Sequence, residues 1–126
     1  TVELWSEKAV ISTLAAFGGS ESAIGNLGNL HRSGAAILYG TDFGNSSETG
    51  ISAAELGLLI QAGLDASEMI SSGTSLPAEW WGFEDIGRID EGYRASFMVY
   101  SADPLLDPMR LAAPSEVWID GQRRGQ

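Results

Sequence analysis

Ala35-Ala36-Ile37-Leu38-Tyr39, bounded by Gly34 and Gly40 and followed by Thr41-Asp42, is the stretch that decides the fold. Five consecutive apolar residues without polar alternation read as a strand buried on both faces, the pattern of a parallel sheet covered by helices. Asp42 then falls at the strand's C-terminal end. In an α/β barrel that end is the rim where catalytic groups gather. An irregular polar loop, residues 43–50, leads to Ser52-Ala53-Ala54-Glu55, which reads as a capping box. It opens a helix with an apolar face of Ile51, Ala54, Leu58, Leu59 and Ala62 that stops at Gly63. Strand, acid, loop and helix form one βα unit.

Towards the N-terminus, Leu4, Trp5, Ala9, Val10 and Leu14 recur at near-helical spacing and predict a helix from Val2 to Phe17, ended by Gly18-Gly19, with Lys8 on its solvated face. Ser20 is an N-cap for the next helix, striped by Ile24, Leu27 and Leu30, with Gly34 suited to the left-handed residue beyond its end. Gly25 and Gly28 cost this helix up to about 1 kcal/mol each relative to alanine, so either they allow close packing or the helix frays.

Towards the C-terminus, Asp65 caps a second short helix ending near Gly73, and Pro77 in a first turn marks a third that stops at Gly82. Beyond Phe83 the texture changes to β-type runs at Ile86–Ile89, Phe97–Tyr100 and Val117–Ile119, and Asp120-Gly121 signals a hairpin. Trp80-Trp81 is expected to be buried between the helices and this antiparallel appendage. The chain therefore divides into residues 1–82, helices around a strand, and residues 83–126, a small β unit.

With 126 residues the chain can hold one core but has about half of the roughly 250 residues of a closed (β/α)8 barrel. Seven basic against seventeen acidic side chains give a net charge of −10, which argues against nucleic acid and anionic membranes as partners. Without cysteine there is neither a disulfide framework nor a thiolate metal site. No apolar run approaches the roughly 18 residues of a membrane span, and the N-terminus lacks signal-peptide order. The compartment stays open, with cytoplasmic favoured. Starting at Thr1 inside a helical pattern, the sequence reads as processed, truncated or partial.

Asp42 is the first candidate for chemistry, because a strand end holds a carboxylate rigidly enough to ligate a metal or act as a general base. The alternative is a turn in which the carboxylate caps backbone amides. His31, the single histidine, lies late in a helix that precedes the strand and so at the opposite end, where an imidazole beside a helix C-terminus is structural. Asn45, Ser46, Ser47, Glu48 and Thr49 fill the loop above the rim, as substrate contacts or as a hydrophilic connector. Serine-nucleophile, phosphate-loop and paired zinc motifs are absent.

Leu38-Tyr39-Gly40-Thr41-Asp42, Glu55-Leu56, Ala62-Gly63-Leu64, Gly73-Thr74, Pro77-Ala78, Gly87-Arg88-Ile89 with Gly92, Asp103-Pro104-Leu105 and Val117-Trp118-Ile119-Asp120-Gly121, in that order, resemble the C-terminal portion of the metal-dependent amidohydrolase superfamily, nearest its imidazolonepropionase and prolidase-like branch. The resemblance implies the last strand and flanking helices of a (β/α)8 barrel, followed by strands of a composite β-sandwich. It also implies hydrolysis of a C–N bond in an amide, cyclic amide or amidine by metal-activated water, with a small-molecule substrate. By resemblance Asp42 both ligates a divalent metal, zinc being the expectation, and takes a proton from the attacking water. The remaining family ligands sit on earlier strands, so the isolated chain is expected to be inactive, and to self-associate or require the missing part of the barrel. The other reading is a non-catalytic α+β interaction domain in which Asp42 is a structural cap. Ser96 stands where the family usually has an aspartate.

Overall fold

A computed structural model describes residues 3–5, 7–47 and 49–125. Strand β1 (Ala9–Ser12) pairs in parallel with β2 (Ala36–Tyr39), in the register Ala9 to Ala36 through Ser12 to Tyr39. Helix α1 (Glu21–Arg32) connects them, making a βαβ unit. Three helices then follow without an intervening strand: α2 (Ala53–Ala62), α3 (Ala66–Ser72) and α4 (Ser75–Trp81). The chain closes with a three-stranded antiparallel sheet in the order β3 (Phe97–Val99), β4 (Glu116–Ile119), β5 (Gln122–Arg124).

The helix expected over 2–17 is not what forms. Glu3–Trp5 and Ala15–Phe17 are single 3₁₀ turns, and Ala9–Ser12 between them is β1; Thr1, Val2 and Ser6 lie outside the described residues. Parallel pairing with β2 overrides the local periodicity: Val10 and Ile11, stiff at χ1, fit a strand at least as well as a helix. Leu4 and Trp5, expected on an apolar stripe, are exposed. Lys8 is exposed, as expected of a solvated side chain, and its carbonyl accepts from Ala36 N at 3.0 Å to begin the parallel ladder.

Val10, Ile37 and Tyr39 share one face of the two strands and pack on the core built by Leu27, Leu56, Leu59, Ala62, Leu64 and Met69. Gly28 settles the choice between packing and fraying: a Cβ there would stand 2.7 Å from the Ala62 carbonyl oxygen, so its absence lets α1 and α2 approach closely, whereas Gly25 faces open space. Leu111, in a 3₁₀ turn over Pro108–Ala112, inserts into the same core.

The caps agree with the sequence at Ser20, Asp65, Gly34 and Gly63, the last two having φ of 88° and 99°. In the C-terminal sheet, Asp120 and Gly121 both have positive φ, the two-residue turn that suits the twist of the β4–β5 hairpin, and the Phe97 and Trp118 rings stack 5.8 Å apart. Ser96 does the local work at its position, its Oγ accepting from Asp120 N at 3.0 Å. Two expectations fail here. Ile86–Ile89 forms bends, not a strand, because Gly87 turns at φ 91° against Thr74 and Ala78. Trp80 and Trp81 are about half exposed, so they are not buried packing among the described residues.

Candidate active site at the end of the second strand

Gly40 allows β2 to leave the sheet across its neighbour: a Cβ there would meet Ile11 Cγ2 at 2.6 Å and the Ser12 carbonyl oxygen at 2.8 Å. Two residues on, Asp42 adopts φ 54°, a left-handed conformation that aspartate tolerates better than most residues, at a cost of order 1 kcal/mol. The strain is held by a laced turn. Asn45 N and Ser46 N donate to the Asp42 carbonyl at 3.0 and 2.9 Å, and Ser46 Oγ donates to the Thr41 carbonyl at 2.8 Å.

Asp42 is half-buried, and its carboxylate accepts from Asn45 Nδ2 at 3.0 Å through Oδ2 in an exposed contact. Among the described residues the side-chain partner of this carboxylate is Asn45. Asn45 and Ser46 thereby serve the placement of Asp42, while Ser47 and Thr49 are exposed and Glu48 lies outside the described residues. Phe43, which the sequence reading passed over, is 71% exposed directly beside Asp42.

The first turn of α2 anchors both strand ends. Tyr39 Oη accepts from Ser52 N at 2.6 Å, tying β2 to the start of the helix. Glu55, fully buried, reaches across to the segment after β1, where its two carboxylate oxygens accept from Leu14 N at 3.1 Å and Ala15 N at 2.7 Å. The expected capping box is therefore half formed: Ser52 Oγ accepts from Glu55 N, but Glu55 does not return the bond. A half-buried tyrosine's need for a partner and a glutamate inside an apolar helix were the available signals.

His31 stands at the other end of β2, with its Nε2 2.9 Å from Glu68 Oε1, joining α1 to α3 beside an open groove of about 490 Å³. It does not meet Asp42. Among the described residues no group of three or more His, Cys, Asp or Glu side chains is placed to share a metal ion. Asp42 fits as one oxygen donor of a larger set, and the donor set is not completed by the described residues. No helix among them is long and apolar enough to cross a membrane.

The sequence profile of the amidohydrolase family matches residues 10–124. The chain belongs to that family. Amidohydrolase-type enzymes generally use divalent metals. Among solved structures, an amidohydrolase superposes with a TM-score of 0.74 at 21% identity, covering 98% of this chain and 36% of that one. A Xaa-Pro dipeptidase with methionine bound in its active site gives 0.74 at 23% identity over 82% of this chain and 26% of its own. Molinate hydrolase gives 0.70 at 18% identity over 98% and 30%. These likenesses establish the mixed α/β fold, and the chain spans about a third of each of these proteins. No curated protein sequence matches the chain.

Proposed function

We propose that this chain is the C-terminal portion of a metal-dependent hydrolase of the imidazolonepropionase and prolidase-like branch, acting on a C–N bond in an amide, cyclic amide or amidine. In this reading β1 and β2 are the closing strands of a (β/α)8 barrel within residues 1–82, and residues 83–126 contribute strands to a β-sandwich. The observation that carries it is Asp42: a half-buried residue at a strand's C-terminal end, held in a strained left-handed turn, with one carboxylate oxygen steadied by Asn45. Strain of this kind persists where the surroundings over-determine it, and it concentrates at functional positions.

Asp42 would hold a divalent metal, zinc being the expected ion, together with ligands from the rest of the barrel. When bound, such an ion lowers the pKa of water so that a nucleophile is available near neutral pH. Asp42 then accepts the proton given up by the attacking water, and Asn45 keeps its carboxylate oriented. A small-molecule substrate is the partner, with no role for nucleic acid or membrane, and the location is cytoplasmic. The segment is inactive by itself. Ile11 is 53% exposed on a strand whose outer edge has no partner among the described residues, which supports completion by further barrel strands or by a second copy.

The test is Asp42→Asn in the complete protein. Hydrolysis of amide substrates is expected to be lost with an unchanged circular dichroism spectrum and melting temperature, and an unchanged rate removes the reading. Sequence upstream of the Thr1 codon tests the segment itself: roughly 250 residues bearing a His-x-His on an early apolar strand are expected.

A further inference from the structure

Tyr39, the last residue of β2, stands three positions before Asp42 and does more than fill space. Its side chain packs against the buried cluster, and its hydroxyl accepts from Ser52 N at 2.6 Å. A phenylalanine would pack as well, so the hydroxyl answers a separate need, that of the Ser52 amide. Ser52 is buried at the start of α2, where its Oγ accepts from Glu55 N. Glu55, which in a closed capping box would take the Ser52 amide in return, is committed to Leu14 N and Ala15 N.

The Tyr39–Ser52 bond joins the two ends of the segment that carries Asp42. The chain leaves β2 at Gly40, whose place against Ile11 and the Ser12 carbonyl admits no side chain, and it returns to fixed structure at Ser52. Between these points the left-handed backbone of Asp42 is held by bonds inside its own turn, from Asn45 N and Ser46 N to the Asp42 carbonyl and from Ser46 Oγ to the Thr41 carbonyl. Those bonds fix the shape of the turn. Where the turn stands over the strand depends on both ends of the segment, and a bond across its base removes conformations that would carry the turn away. A metal ligand has to be held to within about 0.5 Å, so this placement bears on affinity.

We propose that Tyr39 is a positioning residue of this site: its hydroxyl, bonded to Ser52 N, pins the far end of the 40–51 segment to β2 and so sets where the Asp42 carboxylate meets the metal. The proposal rests on the reading of Asp42 given above. Tyr39 acts through the backbone of the segment and takes no part in proton transfer. Its role is separate from that of Asn45, which orients the carboxylate within the turn.

The experiment measures the zinc affinity of the complete protein by competition with a chromogenic chelator. It compares the unmodified protein, Tyr39→Phe, and Tyr100→Phe, which removes a hydroxyl bonded elsewhere, to the Leu111 carbonyl. Tyr39→Phe is expected to weaken zinc binding about tenfold or more, the scale lost when support behind a metal ligand is removed. In the metal-free 126-residue chain the Asn45 and Ser46 amides of Tyr39→Phe should also exchange faster. Tyr100→Phe should alter neither, although each variant loses one hydroxyl hydrogen bond and a comparable amount of melting temperature. Unchanged zinc affinity in Tyr39→Phe, or an equal loss in Tyr100→Phe, shows a hydroxyl that only stabilises the fold and overturns the proposal while leaving Asp42 as a ligand. Equal zinc affinity in the unmodified protein and Asp42→Asn overturns the proposal together with the reading of Asp42.

Discussion

Replacing Glu55 tests whether the two strand ends are held together by one helix turn. In Glu55→Ala the amides of Leu14, which is buried, and Ala15, partly buried, lose their acceptors. Each unpaired buried amide costs about 1–3 kcal/mol, and the lost burial of one methylene adds about 0.8 kcal/mol. Water reaching Ala15 recovers part of this, leaving a loss of about 3–5 kcal/mol, a large share of the 5–15 kcal/mol that stabilises a typical domain. Glu55→Gln keeps one acceptor oxygen but aims its amide NH2, a donor, at the other backbone N–H, for a loss of about 1–3 kcal/mol. Urea unfolding of the chain, followed through its four tryptophans, reads both values. Hydrogen exchange at Leu14 and Ala15 supplies the local readout, with protection falling about tenfold for every 1.4 kcal/mol. If both variants unfold within about 0.5 kcal/mol of the parent with exchange at these amides unchanged, the buried carboxylate does not anchor the β1 exit.

Two further outcomes follow from the same contacts. Gly25→Ala, in open space on α1, should stabilise the chain by about 0.5–1 kcal/mol, whereas Gly28→Ala drives a methyl against the Ala62 carbonyl and should destabilise it by about 1–3 kcal/mol; thermal melts of the pair decide. Burial pushes the Tyr100 hydroxyl above its ordinary value near 10, and the hydroxyl donates to the Leu111 carbonyl at 3.3 Å. Because the folded value is the higher one, this contribution is complete below about pH 10 and is lost as pH rises from there through the folded value. Tyr100→Phe should therefore flatten the fall of melting temperature above pH 10.

Local signals carried α1, α2 and α3, whose starts are capped by Ser20, Ser52 and Asp65, and α1 and α2 end at glycines, Gly34 and Gly63, that turn left-handed. The strand at 36–39 was equally legible as an unbroken apolar run. β1 was not, because Ala9–Ser12 becomes a strand only by pairing with residues 27 positions away, from Ala9 to Ala36, and Ala9, Val10 and Leu14 mimic a helical stripe. The opposite error at Ile86–Ile89 has the same origin: β-type residues without a ladder partner among the described residues follow the turn that Gly87 imposes. The position of Asp42 beyond a strand end could be read from the sequence. Its left-handed backbone could not, since the Asn45 and Ser46 bonds that hold it become visible only in the folded turn.

The two capping motifs show what decides between outcomes that look alike in sequence. Ser52-x-x-Glu55 and Asp65-x-x-Glu68 have the same spacing, and in both the first side chain accepts from the backbone N–H three residues on, at 3.2 and 2.8 Å. At Asp65 the box closes: Glu68 Oε2 accepts from the Asp65 amide at 2.8 Å, and its other oxygen remains for His31. At Ser52 the amide is already satisfied by the Tyr39 hydroxyl, which frees Glu55 for a different need. That need is the pair of amides at Leu14 and Ala15, which would otherwise begin a 3₁₀ turn against the core without acceptors. Removing the Tyr39 hydroxyl should therefore leave Glu55 where it is, because returning it to Ser52 would exchange one partly buried unpaired amide for two, one buried and one partly buried. A motif of four residues thus fixes the helix start in both places, but the path of its glutamate is set by whichever amide, near or far, has no other partner.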